Sequence, residues 1–224
     1  MAKVTLRPSK APNLPLAPAV YDTRQQEQLT NALRLYFAQI DNDWQAILGE
    51  DGSQYLQTPH IAASANADQI ASGNDVPTLV AWDTTESISG FTLDPGGYAI
   101  ADQDGVYKID YSLQFANTDN AQHDVFVWLQ VNGTLVPRSS SRFTIPARKS
   151  ASVFGFVVAY SSIEFEISKD DEIRLWWATE TAYNPVGPVD GVYMENIAAQ
   201  TSPYARPSNP SAVGSINFVS RLPA

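Results

Sequence analysis

Between Asp104 and Phe115 apolar and polar positions alternate without a break. Tyr107, Ile109, Tyr111, Leu113 and Phe115 share one parity; Lys108, Asp110, Ser112 and Gln114 share the other. Side chains on a strand point to opposite faces with period two, so this stretch predicts a half-buried antiparallel strand, opened by the Asp104-Gly105 turn. Shorter strand-like runs flank it at 78–82, 90–93, 98–101, 125–131, 152–160, 164–167, 173–178 and 214–221. The 106–116 run is the longest of the set. Pro95-Gly96-Gly97 marks a turn. Asn132-Gly133 is a strong hairpin signal, because both residues tolerate φ > 0. Lys169, Asp170, Asp171 and Glu172 form a polar turn, and 184–210 reads as a long Pro/Gly-rich loop. About eight to ten short strands with turns between them predict an antiparallel sandwich or jelly roll. No internal repeat is visible.

Strand faces carry further information. At 164–167, Phe165 and Ile167 oppose Glu164 and Glu166, the pattern of a sheet with one wet face. Other strands are apolar on both sides. Val125, Val127, Leu129 and Val131 oppose Phe126 and Trp128. Phe154, Phe156, Val158 and Tyr160 oppose Val153, Val157 and Ala159. Ile173, Leu175 and Trp177 oppose Arg174 and Trp176. Burying one large apolar side chain is worth roughly 1.5–3 kcal/mol, so such faces need cover. A homo-oligomer, most simply three-fold, is the expected source. Tyr107, Tyr111, Phe126, Trp128, Phe154, Phe156 and Trp176 are the residues expected in the subunit interface or β core.

The N-terminal quarter has a different pattern. Residues 1–21 hold Pro8, Pro12, Pro15 and Pro18 with apolar residues between them. Proline fixes φ and removes donors, which predicts an extended arm. Two readings stand: a solvating tail, or an arm docked on another protein through Leu6, Arg7, Leu14, Leu16 and Val20. Residues 22–49 predict a helix, capped by Asp22 with Gln25 as a capping-box partner and ended by Gly49. Leu29, Leu33, Tyr36 and Ile40 follow a 3.5-residue repeat, and Phe37, Trp44, Ile47 and Leu48 widen the stripe. Asp43 occupies the next apolar site, so the register is expected to slip onto Trp44. An isolated helix of this length is marginal, so the stripe needs a partner, either two further copies or the β domain. The domain map is thus an arm over 1–21, a helix over 22–49, a connector over 50–75 and a β domain over 76–224.

Composition narrows the function classes. The net charge of −10 argues against nucleic-acid binding, which needs a concentrated basic face. Arg138, Arg142, Arg148 and Lys149 cluster in sequence and read as a solvated loop. There is no cysteine, hence no disulfide or thiolate metal site. No segment resembles a secretory signal or a membrane span. His60 and His123 are the only histidines, each in polar, loop-like sequence. The Ser139–Ser141 run has no base partner, and no nucleophile elbow, Walker loop or dinucleotide fingerprint occurs. Asp102, Asp104, Asp119 and Asn120 lack EF-hand spacing. Glu164 and Glu166 share a strand face and read as exposed carboxylates rather than a glycosidase pair. Neither an enzyme nor a cofactor is expected.

Two resemblances add to this reading. Leu79-Val80-Ala81-Trp82-Asp83, Gly90-Phe91, Asp104-Gly105-Val106-Tyr107-Lys108-Ile109 and the run from Phe165 to Leu175 resemble, in order and spacing, the trimeric jelly roll of tumour necrosis factor and the complement-type globular head. The resemblance covers about residues 76–221. It departs at Lys169-Asp170-Asp171, where those families place a Gly before the Asp. A second set resembles virion proteins of tailed bacteriophages. It comprises the helix from Tyr21 to Asn42 after its Pro-rich arm, Val127-Trp128-Leu129-Gln130-Val131-Asn132-Gly133, Val136-Pro137-Arg138-Ser139-Ser140, Ile145-Pro146-Ala147-Arg148, and the run from Pro207 to Val213. Together they imply a trimeric knob, fibre-like or decoration protein of a phage particle. It would be made in the bacterial cytoplasm, anchored on other virion proteins by its arm, and involved in host adsorption. A stand-alone receptor- or carbohydrate-binding module of the same fold is the alternative. Its site is expected in the loops 134–150 and 179–210, near Trp176, Trp177, Tyr183 and Tyr193.

Overall fold

The computed structural model describes residues 12–14, 20, 22–48, 58–186 and 190–222. They fall into two compact units, divided between Gln57 and Thr58. The first contains α1 (Thr23–Leu48). Its start follows the expected cap: the Arg24 amide donates to Asp22 Oδ1 at 2.9 Å. Along α1, Gln25, Leu29, Ala32, Leu33, Tyr36, Ile40, Asp43 and Ile47 are half-buried. Their spacing keeps the heptad period through Asp43. Trp44 is exposed, as is Phe37 seven residues before it. Among the described residues no helix is long and apolar enough to cross a membrane.

The second unit is all β. Its strands are β1 (His60–Ala65), β2 (Gln69–Ile70), β3 (Thr78–Leu79), β4 (Thr84–Ser89), β5 (Phe91–Leu93), β6 (Ala99–Ala101), β7 (Gly105–Asn117), β8 (His123–Val131), β9 (Thr134–Leu135), β10 (Ser141–Ile145), β11 (Gly155–Ile167), β12 (Glu172–Thr179), β13 (Val192–Met194) and β14 (Ala212–Ser220). One sheet runs β4-β1-β14-β7-β11, with β13 and β2 continuing beside β7. The other runs β10-β8-β12-β6-β5, with β3 on β12 and β9 on β8. Setting aside β5, the edge strand that pairs antiparallel onto β6, the principal strands in chain order are β1, β6, β7, β8, β10, β11, β12 and β14. The two sheets then read first-eighth-third-sixth and second-seventh-fourth-fifth. That interleaving is the jelly-roll order.

The core lies between the sheets and is built by the alternation the sequence displays. Tyr107, Ile109, Tyr111, Leu113 and Phe115 of β7 are buried against Val125, Val127 and Leu129 of β8 and Ile173, Leu175 and Trp177 of β12. Aromatic edges lock the layers: Phe91 and Phe218 meet Tyr107 at 5.2 and 5.5 Å, and Phe115 meets Trp177 at 5.4 Å. The hairpin forms as expected, with Asn132 at φ 50° and Gly133 at φ 76°. Asp170, where the resembled families carry Gly, takes φ 67°. An aspartate tolerates this left-handed conformation better than most residues.

Several expectations need correction. The stretch 50–75 is not all connector, because β1 and β2 belong to the sheet. His-Ile-Ala-Ala-Ser-Ala lacks large alternating residues; β14 and β4 pair with its two edges, and Ile61, Ala63 and Ala65 lie in the core. At 78–82 only Thr78 and Leu79 pair, against Trp177 and Trp176. The strands expected at 152–160 and 164–167 are one strand, β11, in unbroken register with β7. Ser161 and Ser162 interrupt the apolar pattern without interrupting the backbone ladder. β4, β10 and β13 had no strand-like signal: they are polar, short, or set inside the long loop.

Candidate binding groove

On the outer face of the second sheet, Trp128 of β8 stands directly opposite Trp176 of β12. On the far side of Trp176 lies Leu79 of β3, which brings Pro77 to the same place. The opposite wall is the return of the Asn132-Gly133 hairpin. β9 pairs back onto Gln130 and Val131, and the Val136 amide donates to the Leu129 carbonyl at 3.0 Å. The buried Ser139 hydroxyl then pins this wall: it accepts from the Leu129 amide at 3.0 Å and donates to the Val136 carbonyl at 2.8 Å. Arg138 just before it sits at φ 65°, an uncommon conformation for a residue other than glycine.

These elements enclose a groove of about 580 Å³, lined by Trp128, Trp176, Gln130, Leu135, Arg138 and Ser140, with Pro77, Val136, Pro137 and Ser139. Clefts that hold small molecules run to roughly 300–1,000 Å³. Among the described residues no carboxylate lines the groove, although the chain carries a net charge of −10. Among the described residues, Arg138 has no ion-pair partner, while Arg142 pairs with Asp124 at 3.6 Å and Arg148 with Asp190 at 2.9 Å. The basic cluster seen in sequence is thus dispersed: two of its arginines are spent on neighbours and one faces the groove. The indole N–H groups of Trp128 and Trp176 are buried without acceptors among the described residues. Buried donors of this kind are uncommon and call for an explanation.

The other singled-out residues divide as follows. Leu6, Arg7 and Leu16 lie outside the described residues; Leu14 and Val20 are exposed. Leu29, Leu33, Tyr36, Ile40 and Ile47 form the half-buried stripe of α1, flanked by the exposed Phe37 and Trp44. Tyr107 and Tyr111 are core residues rather than interface residues, and so is Trp177, which points into the sandwich and cannot serve a surface site. Phe126 is exposed beside the groove strands, and Phe154 packs near Phe156, 6.5 Å between centroids. Tyr183 and Tyr193 do meet, at 4.9 Å, but away from the groove lining.

The residues weighed for chemistry have structural employment. His60 opens β1, with its ring nitrogens 2.8 Å from the Thr58 carbonyl and 2.8 Å from Ser87 Oγ. His123 opens β8 rather than lying in a loop. It is buried between Asp119, at 2.7 Å from Nε2, and Glu180, at 3.4 Å from Nδ1. The hydrogen bond from His123 holds the Asp119 carboxyl below its ordinary value. Asp104 accepts from the Lys169 amide at 2.6 Å. Glu164 and Glu166 are exposed on β11. Among the described residues no group of three or more His, Asp or Glu side chains is placed to hold a metal. Tyr193 donates to Glu195 Oε1 at 3.1 Å; burial pushes the Glu195 carboxyl and the Tyr193 hydroxyl up.

The sequence points to the loop 134–150, which supplies Leu135, Arg138 and Ser140, and to Trp176, but not to Pro77 or Gln130. The hairpin signal followed by Pro137 was the available clue to a short, rigid wall. Nothing local links Pro77 to Trp128; the β12 ladder does that.

No protein-family model matches the chain, and no curated protein matches it. Among solved structures, the Eiger TNF from S. frugiperda is 14% identical with a TM-score of 0.43, covering 74% of this chain and 96% of that one. The globular domain of the zebrafish complement 1qA protein is likewise 14% identical, with a TM-score of 0.41, covering 74% of this chain and 100% of that one. The jelly-roll assignment rests on the strand order described above.

Proposed function

We propose that this chain is a non-enzymatic, self-associating jelly-roll module. In its fuller form it is a homotrimeric knob, fibre-like or decoration component of a bacteriophage particle, held on other virion proteins by its N-terminal arm and contributing to host adsorption. The observation that carries the self-association is the outer face of β11. Phe156, Val158 and Tyr160 are exposed by 50, 61 and 60% on one stripe. Among the described residues β11 pairs only with β7, so its other edge is open. In the neighbouring row Ser112 lies between Tyr160 and Val213, and Val213 is also exposed. An open, apolar edge strand is an association hazard unless another copy covers it. Closed symmetry is the usual outcome for identical chains, and three-fold order follows the resemblance noted in the sequence. The heptad stripe of α1 supplies a second place for copies to meet.

The particle assignment rests on the sequence resemblance alone. Its test is imaging and peptide mapping of purified particles; a chain confined to the infected-cell cytosol would overturn it. The test of self-association is sedimentation at micromolar concentration, where a 24.5 kDa species would overturn it. A second reading, a receptor- or carbohydrate-binding module standing alone, is favoured by one observation: the formed groove around Trp128 and Trp176.

A further inference from the structure

We infer that the groove between Trp128, Trp176 and Arg138 binds a saccharide bearing a carboxylate. The inference rests on the reading of the groove as a binding site and is independent of self-association. Three features of the lining lead to this chemistry. Two half-buried indoles stand side by side on paired strands, a rigid apolar platform. The C–H face of a sugar ring suits such a platform, with its hydroxyls left free at the rim. Gln130 and Ser140 line the groove, and their side chains have no hydrogen-bond partner among the described residues, so amide and hydroxyl groups are free to meet sugar hydroxyls. Among the described residues, Arg138 is the one cation in the lining, it has no ion-pair partner, and no carboxylate lines the groove beside it. A guanidinium matches the geometry of a carboxylate in a two-point contact.

Charge makes the acidic sugar the better fit than a neutral one. The chain as a whole repels anions, yet the groove lining does not share that charge. A peptide carrying a carboxylate is a poorer fit. Extended peptides gain affinity by adding to an open sheet edge. Here β8 is paired with β12 on one side and with β10 and β9 on the other, so its backbone offers no edge at the groove.

The test is binding of a short oligogalacturonate to the full chain, followed by tryptophan fluorescence and by ligand-observed NMR. Neutral oligogalactose of equal length, a sialylated oligosaccharide and a peptide with a free C-terminal carboxylate serve as comparisons. Binding of the oligogalacturonate or the sialoside is expected to exceed that of the neutral oligomer roughly tenfold or more. Arg138→Gln should remove that preference, and added salt should weaken it. Trp176→Ala should abolish binding altogether. Because Trp176 is half-buried, Ser140→Ala and Arg138→Gln, both at exposed positions, keep the test valid where the tryptophan variant does not fold. Equal binding of neutral and acidic oligomers overturns the charge assignment while leaving a sugar site. Peptide binding without sugar binding, or no binding of any probe, overturns the inference, the latter together with the groove reading.

Discussion

Gly155 shows how much a single position can weigh in this fold. It opens β11 where the Pro146 carbonyl passes against its Cα, so an added methyl would collide with backbone. Gly155→Ala is expected to cost about 1–3 kcal/mol, read as a lowered Tm, because backbone on both sides must shift. Charges act at the same scale. Asp119 has its carboxyl lowered by His123, so its contribution to stability is present above the unfolded value and lost as pH falls through the folded one. Acid below about pH 4 should therefore destabilise the chain, and Asp119→Asn should flatten that limb of a pH–Tm profile. Glu195 has the opposite sign. Its carboxyl is raised by burial, so the stability of its protonated form is lost as pH climbs from the unfolded value through the folded one. Glu195→Gln, which keeps an acceptor for Tyr193, should raise the Tm at neutral pH.

At the scale of elements, α1 places Asp43, half-buried, at a position where the heptad asks for an apolar residue, with Trp44 exposed beside it. A polar residue at such a site weakens association of copies through the stripe and limits the ways they can align. Asp43→Leu is expected to strengthen self-association of a peptide spanning α1, seen as a higher midpoint of helix melting; a lower midpoint would show that the carboxylate is needed. Strand length is the second lesson. β11 runs through Ser161 and Ser162 because the ladder is made by backbone groups, and side-chain polarity reports only which face is wet. β1 shows the reverse: it is a strand because β14 and β4 pair with both its edges and Ala63 and Ala65 reach the core, not because alanine favours strands.

For the whole molecule, the two outer sheet faces have different occupations. The stripe of Phe156, Val158 and Tyr160 belongs to the β7-side sheet, and the groove belongs to the other. Self-association through one face therefore leaves the other free, and copies held together would present several grooves at once, raising avidity without new contacts. Val158→Glu places a charge in the middle of the exposed stripe. It is expected to shift sedimentation from oligomer towards monomer while leaving the circular dichroism spectrum unchanged, since Val158 takes no part in the core.

Features that depend on period and local geometry can be read directly from the residues. Alternation along β7 marks its core-facing residues, the Asn132-Gly133 pair sets the hairpin, and the stripe with Asp22 ahead of it defines α1. These are properties of neighbouring residues, and neighbours in sequence display them. Which apolar faces other strands bury, and which stay open, is settled by the packing of the whole fold. It alone placed Trp177 inside and Trp176 outside, separated Arg138 from Arg142 and Arg148, and brought Pro77 beside Trp128. Those outcomes follow from ladders between segments far apart in the chain, and no local pattern records which distant strand will be the neighbour.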